Sequence, residues 1–329
     1  MDSLPNKDGI AYLYGHPLRN SLSPPLHQTV YNALGLNWTQ IPLSTANGSS
    51  YTKSPEIATF LSSIKSNANF VGSSVTMPWK VAIMPHLDAL TEEARQAGAC
   101  NTIFLRNRTD GKKEYVGTNT DCIGIREALV QGSPTGNGHF RGKPALIVGG
   151  GGTARTAIYV LRRWLGVSKI YAVNRDKAEI EAILKEDKER NPAKNGMIAP
   201  LLPVADPAAA ATLEPPVAVV SGIPNYAPRT DEERNARETL RVLLKRQTHE
   251  KHQGVILEMC YHPSPWTEIA KMAADARWKV ILGSEALIWQ GLEQARLWTG
   301  RDVVAVPGLV DKVKTFVANA VSERSKSNL

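Results

Sequence analysis

Cysteine is scarce in this sequence, and the three that occur are far apart. Cys100, Cys122 and Cys260 form no CxxC pair and are odd in number, so they provide neither a disulfide framework nor a zinc site. We expect small, buried, free thiols in a reducing compartment. The seven histidines show no ligand spacing such as HxxxH near a carboxylate, and we predict no metal.

Long apolar runs are also missing. No stretch approaches the roughly 18 apolar residues that a membrane helix needs. The segment Met1–Asp8 has neither an apolar signal core nor an Arg-rich amphipathic pattern. The sequence therefore predicts a cytoplasmic protein that does not associate with a membrane.

A basic run with interleaved aromatic residues is absent as well. The formal net charge is +8, which by itself would suit nucleic acid. However, basic residues alternate with acidic ones, as in the segment 229–246. A mild positive surplus equally suits an enzyme that binds anionic metabolites and a dinucleotide. We predict a small-molecule substrate and no nucleic-acid partner.

The residues that are present suggest two α/β regions. A chain of 329 residues is long enough for about two domains. In the first region short extended runs alternate with helical patterns, which predicts a mostly parallel sheet. The predicted strands there are 10–14, 37–43 and 69–76, with a helix over 26–34.

A stretch rich in Gly, Ser, Pro and Asn, residues 132–142, is a candidate linker to the second region. Beyond it, a strand, a helix and a second strand form a βαβ unit of the expected length. These three elements are 145–148, 153–165 and 169–174. We also predict strands at 217–220 and 255–259, an exposed helix and loop over 230–253, and mainly helix over 284–329.

A glycine-rich loop joins the first strand of the βαβ unit to its helix. The loop reads Gly149, Gly150, Gly151, Gly152, Thr153 and Ala154, and it fits G-x-G-x-x-A. The first glycine makes the turn, the second admits a pyrophosphate, and the small alanine allows close helix packing. In this context the loop predicts a Rossmann-type, doubly wound dinucleotide-binding domain.

The end of the second strand indicates which dinucleotide binds. Asn174, Arg175 and Asp176 follow that strand, where an adenosine ribose would lie. The carboxylates of Asp176 and Glu179 favour NAD, because a carboxylate accepts hydrogen bonds from ribose hydroxyls and repels a 2′-phosphate. Arg175 favours NADP, since a guanidinium can clamp that phosphate. The alternative is an ordinary acidic first turn of a helix.

Two serines stand on a rigid turn near the N-terminus. Ser21 and Ser23 precede Pro24 and Pro25, which restrict the backbone and begin a helix. One interpretation is that Ser23 is a helix N-cap. The other is that the hydroxyls and free N–H groups of this turn bind a small carboxylate.

Lys80 and Asp121 are candidates for proton transfer. Lys80 follows a buried strand and a Pro-aromatic pair, and Asp121 ends a polar turn. Taken separately, a lysine is usually a solvated charge and an aspartate in such a turn is usually a turn former. If both face one cleft, Lys80 can move a proton while Asp121 hydrogen-bonds the same substrate hydroxyl.

Taken together, these segments resemble the shikimate/quinate dehydrogenase family over nearly the whole chain. The matching motifs, in family order, are GxPxxxSxSP at 15–24, SVTMPWK at 74–80, GACNT at 98–102, GTNTD at 117–121, the glycine loop at 149–155, YHP at 261–263, LIWQ at 287–290 and LWTG at 297–300. The resemblance implies hydride transfer between a ring carbon and a nicotinamide. It implies a substrate-binding domain over 1–130, with helices of 285–329 packed back on it, and a Rossmann domain over 131–284.

The resemblance also implies roles for individual residues. Lys80 and Asp121 would be the catalytic pair. The carboxylate and ring hydroxyls of the substrate would contact Ser21, Ser23, Thr76, Asn101, Tyr261 and Gln290. Residues near the nicotinamide would include Ser221, Gly222, Ile223 and Gly283.

Three departures distinguish this chain from many family members. The segment 221–225 reads SGIPN instead of NATxxGM, and GSEA at 283–286 replaces a methionine near the nicotinamide. Asp176 and Glu179 stand where NADP enzymes carry a second arginine after Asn-Arg-Thr. These departures are more similar to the free-standing, catabolic quinate dehydrogenases of filamentous fungi.

The first interpretation is therefore an NAD-dependent quinate dehydrogenase that forms 3-dehydroquinate and also oxidises shikimate, as a monomer or homodimer. One alternative is an NADP-dependent shikimate dehydrogenase. Another is a non-enzymatic sensor of quinate or shikimate on the same scaffold. The presence of both Lys80 and Asp121 argues against the sensor, which would not need them.

Overall fold

The computed structural model describes residues 6–18, 21–43, 53–190, 198–245, 254–261, 264 and 266–327. The chain forms two compact units, residues 1–121 with 287–323 and residues 122–286 with 324–329. The sequence places the boundary at residue 130, whereas the units divide after Asp121. The reason is that Cys122 and Ile125, early in the next helix, are buried in the core of the second unit.

The first unit contains a six-stranded sheet of order β2-β1-β3-β5-β6-β4. Its strands are β1 (Gly9–Tyr14), β2 (Trp38–Leu43), β3 (Phe70–Val75), β4 (Ala89–Leu90), β5 (Thr102–Asn107) and β6 (Lys113–Thr118). All neighbours pair in parallel except β5, which is antiparallel to β3 and to β6. The expected mostly parallel sheet is therefore mixed, because the unpredicted hairpin β5–β6 turns back on itself at residues 108–112.

Helices pack on this sheet. They are α1 (Ser23–Ala33), α2 (Ile57–Ser66), α3 (Trp79–Ala82), α4 (Glu92–Ala97) and, from the end of the chain, α11 (Gly283–Thr299). The last helix, α12 (Leu309–Ser327), contacts α11, where Lys314 lies over the ring of Trp289. Aromatic stacking supports the core, since the ring of Tyr14 lies 3.9 Å from that of Phe60. Gly72 lets α11 approach β3, because a Cβ there would overlap Nε1 of Trp298.

The second unit contains a six-stranded, fully parallel sheet of order β12-β11-β10-β7-β8-β9. Its strands are β7 (Pro144–Val148), β8 (Lys169–Val173), β9 (Leu201–Pro203), β10 (Ala218–Ser221), β11 (Val255–Glu258) and β12 (Lys279–Leu282). Strand order reverses between β7 and β10, which creates a crevice at the carboxyl ends of these strands. This topology confirms the doubly wound α/β fold.

Helices cover this second sheet. They are α5 (Asp121–Gly132), α6 (Gly152–Tyr159) with a π-helical continuation (Val160–Trp164), α7 (Lys177–Arg190), α8 (Pro207–Thr212), α9 (Asp231–Lys245) and α10 (Glu268–Asp275). The predicted exposed helix within 230–253 is α9, but one face of it is buried. Leu240, Leu243 and Leu244 pack in the core at helical spacing. The remainder of that prediction, 246–253, lies outside the described residues.

The strands predicted from apolar runs and the elements of the βαβ unit are confirmed to within about two residues, and the first helix is confirmed but begins three residues earlier, at Ser23. Within the described ranges, none of the helices combines the length and apolarity that a bilayer crossing requires.

Candidate active site

Lys80 and Asp121 meet at one edge of the first-unit sheet. β3 and β6 run in the same direction, so the segments that follow them emerge at the same edge. Lys80 lies on α3 just after β3, and Asp121 is the first residue of α5 just after β6. Lys80 Nζ lies 2.6 Å from Asp121 Oδ2, and the side chains are 30% and 21% exposed. A substrate hydroxyl can therefore reach both.

The backbone fixes this ion pair on both sides. The carbonyl of Lys80 accepts a hydrogen bond from the N–H of Cys100 at 2.7 Å. The N–H of Asp121 donates to Asn119 Oδ1 at 3.1 Å, and Asn119 Nδ2 donates to the carbonyl of Ala99 at 3.0 Å. Asp121 also stands in the first turn of α5, where the helix dipole stabilises its negative charge.

A buried amide cluster adjoins the pair through Thr120. Asn101 Oδ1 accepts hydrogen bonds from Thr102 Oγ1 and from the backbone N–H of Thr120, each at 2.7 Å. Asn101 Nδ2 donates to Gln290 Oε1 at 3.4 Å, and Thr120 Oγ1 donates to the same oxygen at 3.3 Å. One N–H of the Asn101 amide is thus directed to Gln290, and its second N–H can donate to a ligand.

The two serines near the N-terminus occupy different environments. Ser23 is not an N-cap, because it is the first residue of α1 and Leu22 is at the cap without a side-chain bond. Its buried hydroxyl donates to Gln40 Oε1 at 2.9 Å. Ser21 is half-buried, and its Oγ accepts the N–H of Ser23 at 3.2 Å. Ser21 therefore keeps its own hydroxyl hydrogen for a ligand.

Two glutamines that sequence reasoning missed hold this region together. Gln40 Nε2 donates to Ser74 Oγ at 2.9 Å, and Ser74 Oγ donates to Gln294 Oε1 at 2.9 Å. Gln294 Oε1 also accepts a hydrogen bond from Nε2 of buried His27 at 3.0 Å. Burial lowers the pKa of His27 to about 4, so the ring is neutral and donates from Nε2. The sequence signal that could have indicated Gln294 is its i, i+4 spacing from Gln290, which places both side chains on one face of a helix.

Thr76 and Tyr261 lie in different units. Thr76 follows β3 in the first unit, is half-buried, and donates its N–H to the carbonyl of Tyr14 at 2.8 Å. Tyr261 follows β11 in the second unit and is also half-buried.

The glycine loop of the second unit fits a dinucleotide phosphate. Gly149 has φ +116°, which an L side chain rarely adopts, and its N–H donates to the carbonyl of Val173 at 2.9 Å. At Gly150 a Cβ would overlap Glu179 Oε2, whereas a Cβ at Gly151 or Gly152 would have no atom within 4 Å of it. The open N-terminus of α6 can therefore accept an anion.

This loop opens on a cavity of about 240 Å³ in the second unit. The predicted cofactor residues that line it are Gly150, Gly151, Asn174, Arg175, Gly222 and Ile223. Glu179 lines it too and accepts a hydrogen bond from Asn174 Nδ2 at 2.6 Å. Sequence reasoning missed the lining residues contributed by 224–228 and α9, because the apolar face of that helix was not recognised.

Asp176 is the other carboxylate predicted beside the ribose. It is absent from the cavity lining, and its Oδ1 accepts the N–H groups of Ala178 at 2.8 Å and Glu179 at 3.3 Å. Asp176 therefore caps α7. The carboxylate of this segment that faces the cavity is that of Glu179. Thr153 and Ala154 lie within α6, where Ala154 is buried.

Ser221, Gly283 and Cys260 lie near the ends of the central strands. Ser221 pairs in register with Glu258, whose Oε1 accepts the N–H of Cys260 at 3.1 Å. Burial raises the pKa of Glu258 to about 7, although Cys260, Ser221 and Thr267 hydrogen-bond to it. Gly283 begins α11, where a Cβ would overlap the carbonyl of Met259.

The three cysteines are free, with Cys100 and Cys122 buried and Cys260 half-buried. Burial raises the pKa of Cys260 to about 11, and its thiol donates to the carbonyl of Ile223 at 3.1 Å. Among the residues that the structure describes, no group of three His, Cys, Asp or Glu side chains could hold a metal ion.

Comparisons with known proteins show which chains this one resembles. Residues 13–103 match the family model of the shikimate dehydrogenase substrate binding domain. The chain is 79% identical over 324 residues to a quinate dehydrogenase of Emericella nidulans, covering 98% of each chain. It is 34% identical over 292 residues to the pentafunctional AROM polypeptide of Saccharomyces cerevisiae, covering 88% of this chain but 17% of that one.

Solved structures show the same fold. The dehydroquinate dehydratase and shikimate dehydrogenase from S. pombe AroM superposes with a TM-score of 0.72 at 31% identity, over 93% of this chain and 52% of that chain. A quinate dehydrogenase from Corynebacterium glutamicum, solved in complex with NAD, superposes with a TM-score of 0.71 at 22% identity, over 94% and 99% of the two chains.

Proposed function

The chain belongs to the shikimate/quinate dehydrogenase family, and we propose that it oxidises quinate to 3-dehydroquinate, and shikimate more slowly, with NAD as cofactor. It is an oxidoreductase that acts on a CH–OH group. The observation that carries the proposal is the 2.6 Å contact between Lys80 and Asp121 beside the buried amide cluster. The name of the 79% identical relative supports quinate as the substrate.

In the proposed mechanism Lys80 first releases the ammonium proton of its ion pair to solvent, and the amine then removes the proton of the hydroxyl being oxidised, as a general base. Asp121 accepts a hydrogen bond from Lys80 Nζ, which holds the amine beside that hydroxyl, and it stabilises the ammonium group that forms on Lys80. The partial exposure of both side chains lets the proton pass on to solvent. When bound, the dinucleotide supplies the nicotinamide ring, which accepts the hydride.

Donor groups around the pair suit a polyhydroxylated carboxylic acid. Ser21 offers its hydroxyl hydrogen and Asn101 its second amide hydrogen, because the other polar groups of these side chains are already engaged. Ser23 would first have to turn its hydroxyl from Gln40. The remaining proposed contacts are Thr76, Tyr261 and Gln290.

The cavity of the second unit supports a dinucleotide, and Glu179 supports NAD. Its carboxylate lies beside Asn174 and Gly150, where it can accept hydrogen bonds from ribose hydroxyls and repel a 2′-phosphate. One observation favours NADP instead, since Arg175 lines the same cavity. The free cysteines support a reducing compartment such as the cytoplasm.

The test measures initial rates with quinate or shikimate, each combined with NAD⁺ or with NADP⁺. The absorbance of the reduced nicotinamide reports each rate. We expect the highest kcat/KM with quinate and NAD⁺. A best rate with shikimate and NADP⁺ would instead identify a biosynthetic shikimate dehydrogenase. Quinate binding without turnover in any combination would identify a sensor.

A further inference from the structure

Glu233, on α9, reaches the cofactor cavity from an element that sequence reasoning treated as exposed. Its Oε1 forms an ion pair with Arg175 Nη1. Its Oε2 accepts the backbone N–H groups of Arg229 at 2.6 Å and Thr230 at 3.3 Å. In return, the N–H of Glu233 donates to Thr230 Oγ1 at 3.2 Å, which completes a capping box at the start of α9. The carboxylate is therefore held in one place.

The charge of this carboxylate is also secured. The N–H groups of Arg229 and Thr230, and then Arg175, lower the pKa of Glu233. Its side chain is 19% exposed, whereas that of Arg175 is 63% exposed. At neutral pH an ionised Glu233 thus covers part of an accessible guanidinium.

The position of Arg175 gives this contact its significance. Arg175 follows β8, next to Asn174, at the place where an arginine accommodates the 2′-phosphate of NADP in folds of this type. Arg175 and Glu233 line the same cavity. A 2′-phosphate would have to displace Glu233 from the guanidinium and then remain beside a second negative charge.

The other charged side chains in the cavity lining do not relieve this repulsion. They are Glu179, which is itself acidic, and Arg237, whose Nη1 pairs with Glu268 at 2.9 Å. The two cations of this lining are therefore each paired with a carboxylate in the described structure, Arg237 with Glu268 and Arg175 with Glu233. Removal of the Glu233 charge would leave Arg175 as the cation available to a phosphate.

We propose that Glu233 is a specificity-determining residue, which excludes the 2′-phosphate by neutralising Arg175 and by adding a like charge beside it. The inference rests on the proposed function in one respect, namely that the adenosine half of the dinucleotide occupies this cavity. It differs from the assignment of Glu179, because Glu233 acts on the cation that would otherwise favour NADP.

The test measures binding to the whole protein by calorimetry, with two ligands that differ only by a phosphate, 5′-AMP and adenosine 2′,5′-bisphosphate. Glu233→Gln is the main variant, because an amide oxygen can still accept the two backbone N–H groups while the charge is lost. We expect its affinity for the bisphosphate to rise by about tenfold or more and its affinity for 5′-AMP to stay within about threefold.

Two further variants complete the experiment. Glu238→Gln, in another Glu–Arg ion pair of α9 that does not line the cavity, should bind both ligands as the unmodified protein does. Adding Arg175→Ala to Glu233→Gln should abolish the gain in affinity for the bisphosphate. Circular dichroism and thermal melting verify that each variant is folded.

An unchanged ratio of the two affinities in folded Glu233→Gln would overturn the inference, as would a gain that survives Arg175→Ala. These outcomes are separate from a failure of the proposed function. An unmodified enzyme that turns over faster with NADP⁺ contradicts the NAD proposal, but a rise in bisphosphate affinity in Glu233→Gln would still establish what Glu233 does.

Discussion

At the scale of single residues, chemistry in this protein depends on which partner a polar group already has. Asn101 has an occupied oxygen and one amide hydrogen still available, whereas Ser23 has donated its hydroxyl hydrogen to Gln40. Asp176, an attractive ribose ligand in the sequence, satisfies the N–H groups of α7. Such assignments depend on side-chain directions, so residue type and spacing cannot supply them.

The first residue-scale prediction concerns Lys80. Lys80→Met keeps most of the side-chain volume and removes the amine, so kcat should fall by about 10²–10⁴-fold with a smaller change in KM. Steady-state kinetics with quinate and NAD⁺ measure this. Lys112→Met, at an exposed lysine in the β5–β6 turn, is the matched control and should leave kcat unchanged. A Lys80→Met enzyme with near-normal kcat would remove Lys80 from the proposed mechanism.

At the scale of elements, apolar runs predicted buried strands well. The run at 145–148 became β7, which is buried throughout. The hairpin β5–β6 was missed because its outer half is polar and exposed, including the ion pair of Arg106 with Glu114 at 2.7 Å. The buried face of α9 was missed because charged residues surround its leucines.

A prediction at this scale concerns the packing of α11 on β3. Gly72→Ala would place a Cβ against Trp298, whose Nε1 also donates to the carbonyl of Ile103 at 3.0 Å. Because neither the indole nor the strand can move freely, we expect a loss of about 2–3 kcal/mol in the free energy of unfolding. Urea denaturation followed by tryptophan fluorescence measures it.

Gly138→Ala is the control for this measurement, because no atom lies within 4 Å of the added Cβ and its φ is not positive. Its unfolding midpoint should stay close to that of the unmodified protein. Equal midpoints for the two variants would show that α11 does not need Gly72.

At the scale of the whole molecule, the first unit buries a base whose pKa is lowered and the second unit buries an acid whose pKa is raised. His27 in the first unit has a pKa lowered by burial, so acid destabilises that unit as the pH falls from 6.5 towards 4. Glu258 in the second unit has a pKa raised by burial from 4.5 to about 7. Below pH 4.5 Glu258 is protonated in both the folded and the unfolded state, and its contribution to the pH dependence vanishes.

The whole-molecule prediction follows from Glu258. As the pH rises from about 4.5 to about 7, the unfolded state ionises first, so the second unit loses about 3 kcal/mol of stability. Glu258→Gln should remove this loss and flatten the unfolding free energy over that range. Glu238→Gln, at an exposed position on α9, should keep the slope. Denaturant titrations at a series of pH values measure it, and identical slopes in Glu258→Gln and the unmodified protein would contradict the prediction.

The sequence by itself determined the α/β class, the glycine loop, the family and the catalytic candidates, because these depend on local periodicity, on backbone freedom and on motifs that are contiguous in the chain. Tertiary structure alone decided that the units divide after Asp121, that β5 reverses direction, and that Gln40 and Gln294 tie the substrate site together. It also brought Glu233 to Arg175 across 58 residues of sequence. These features arise from contacts between distant segments, whose geometry no local pattern contains.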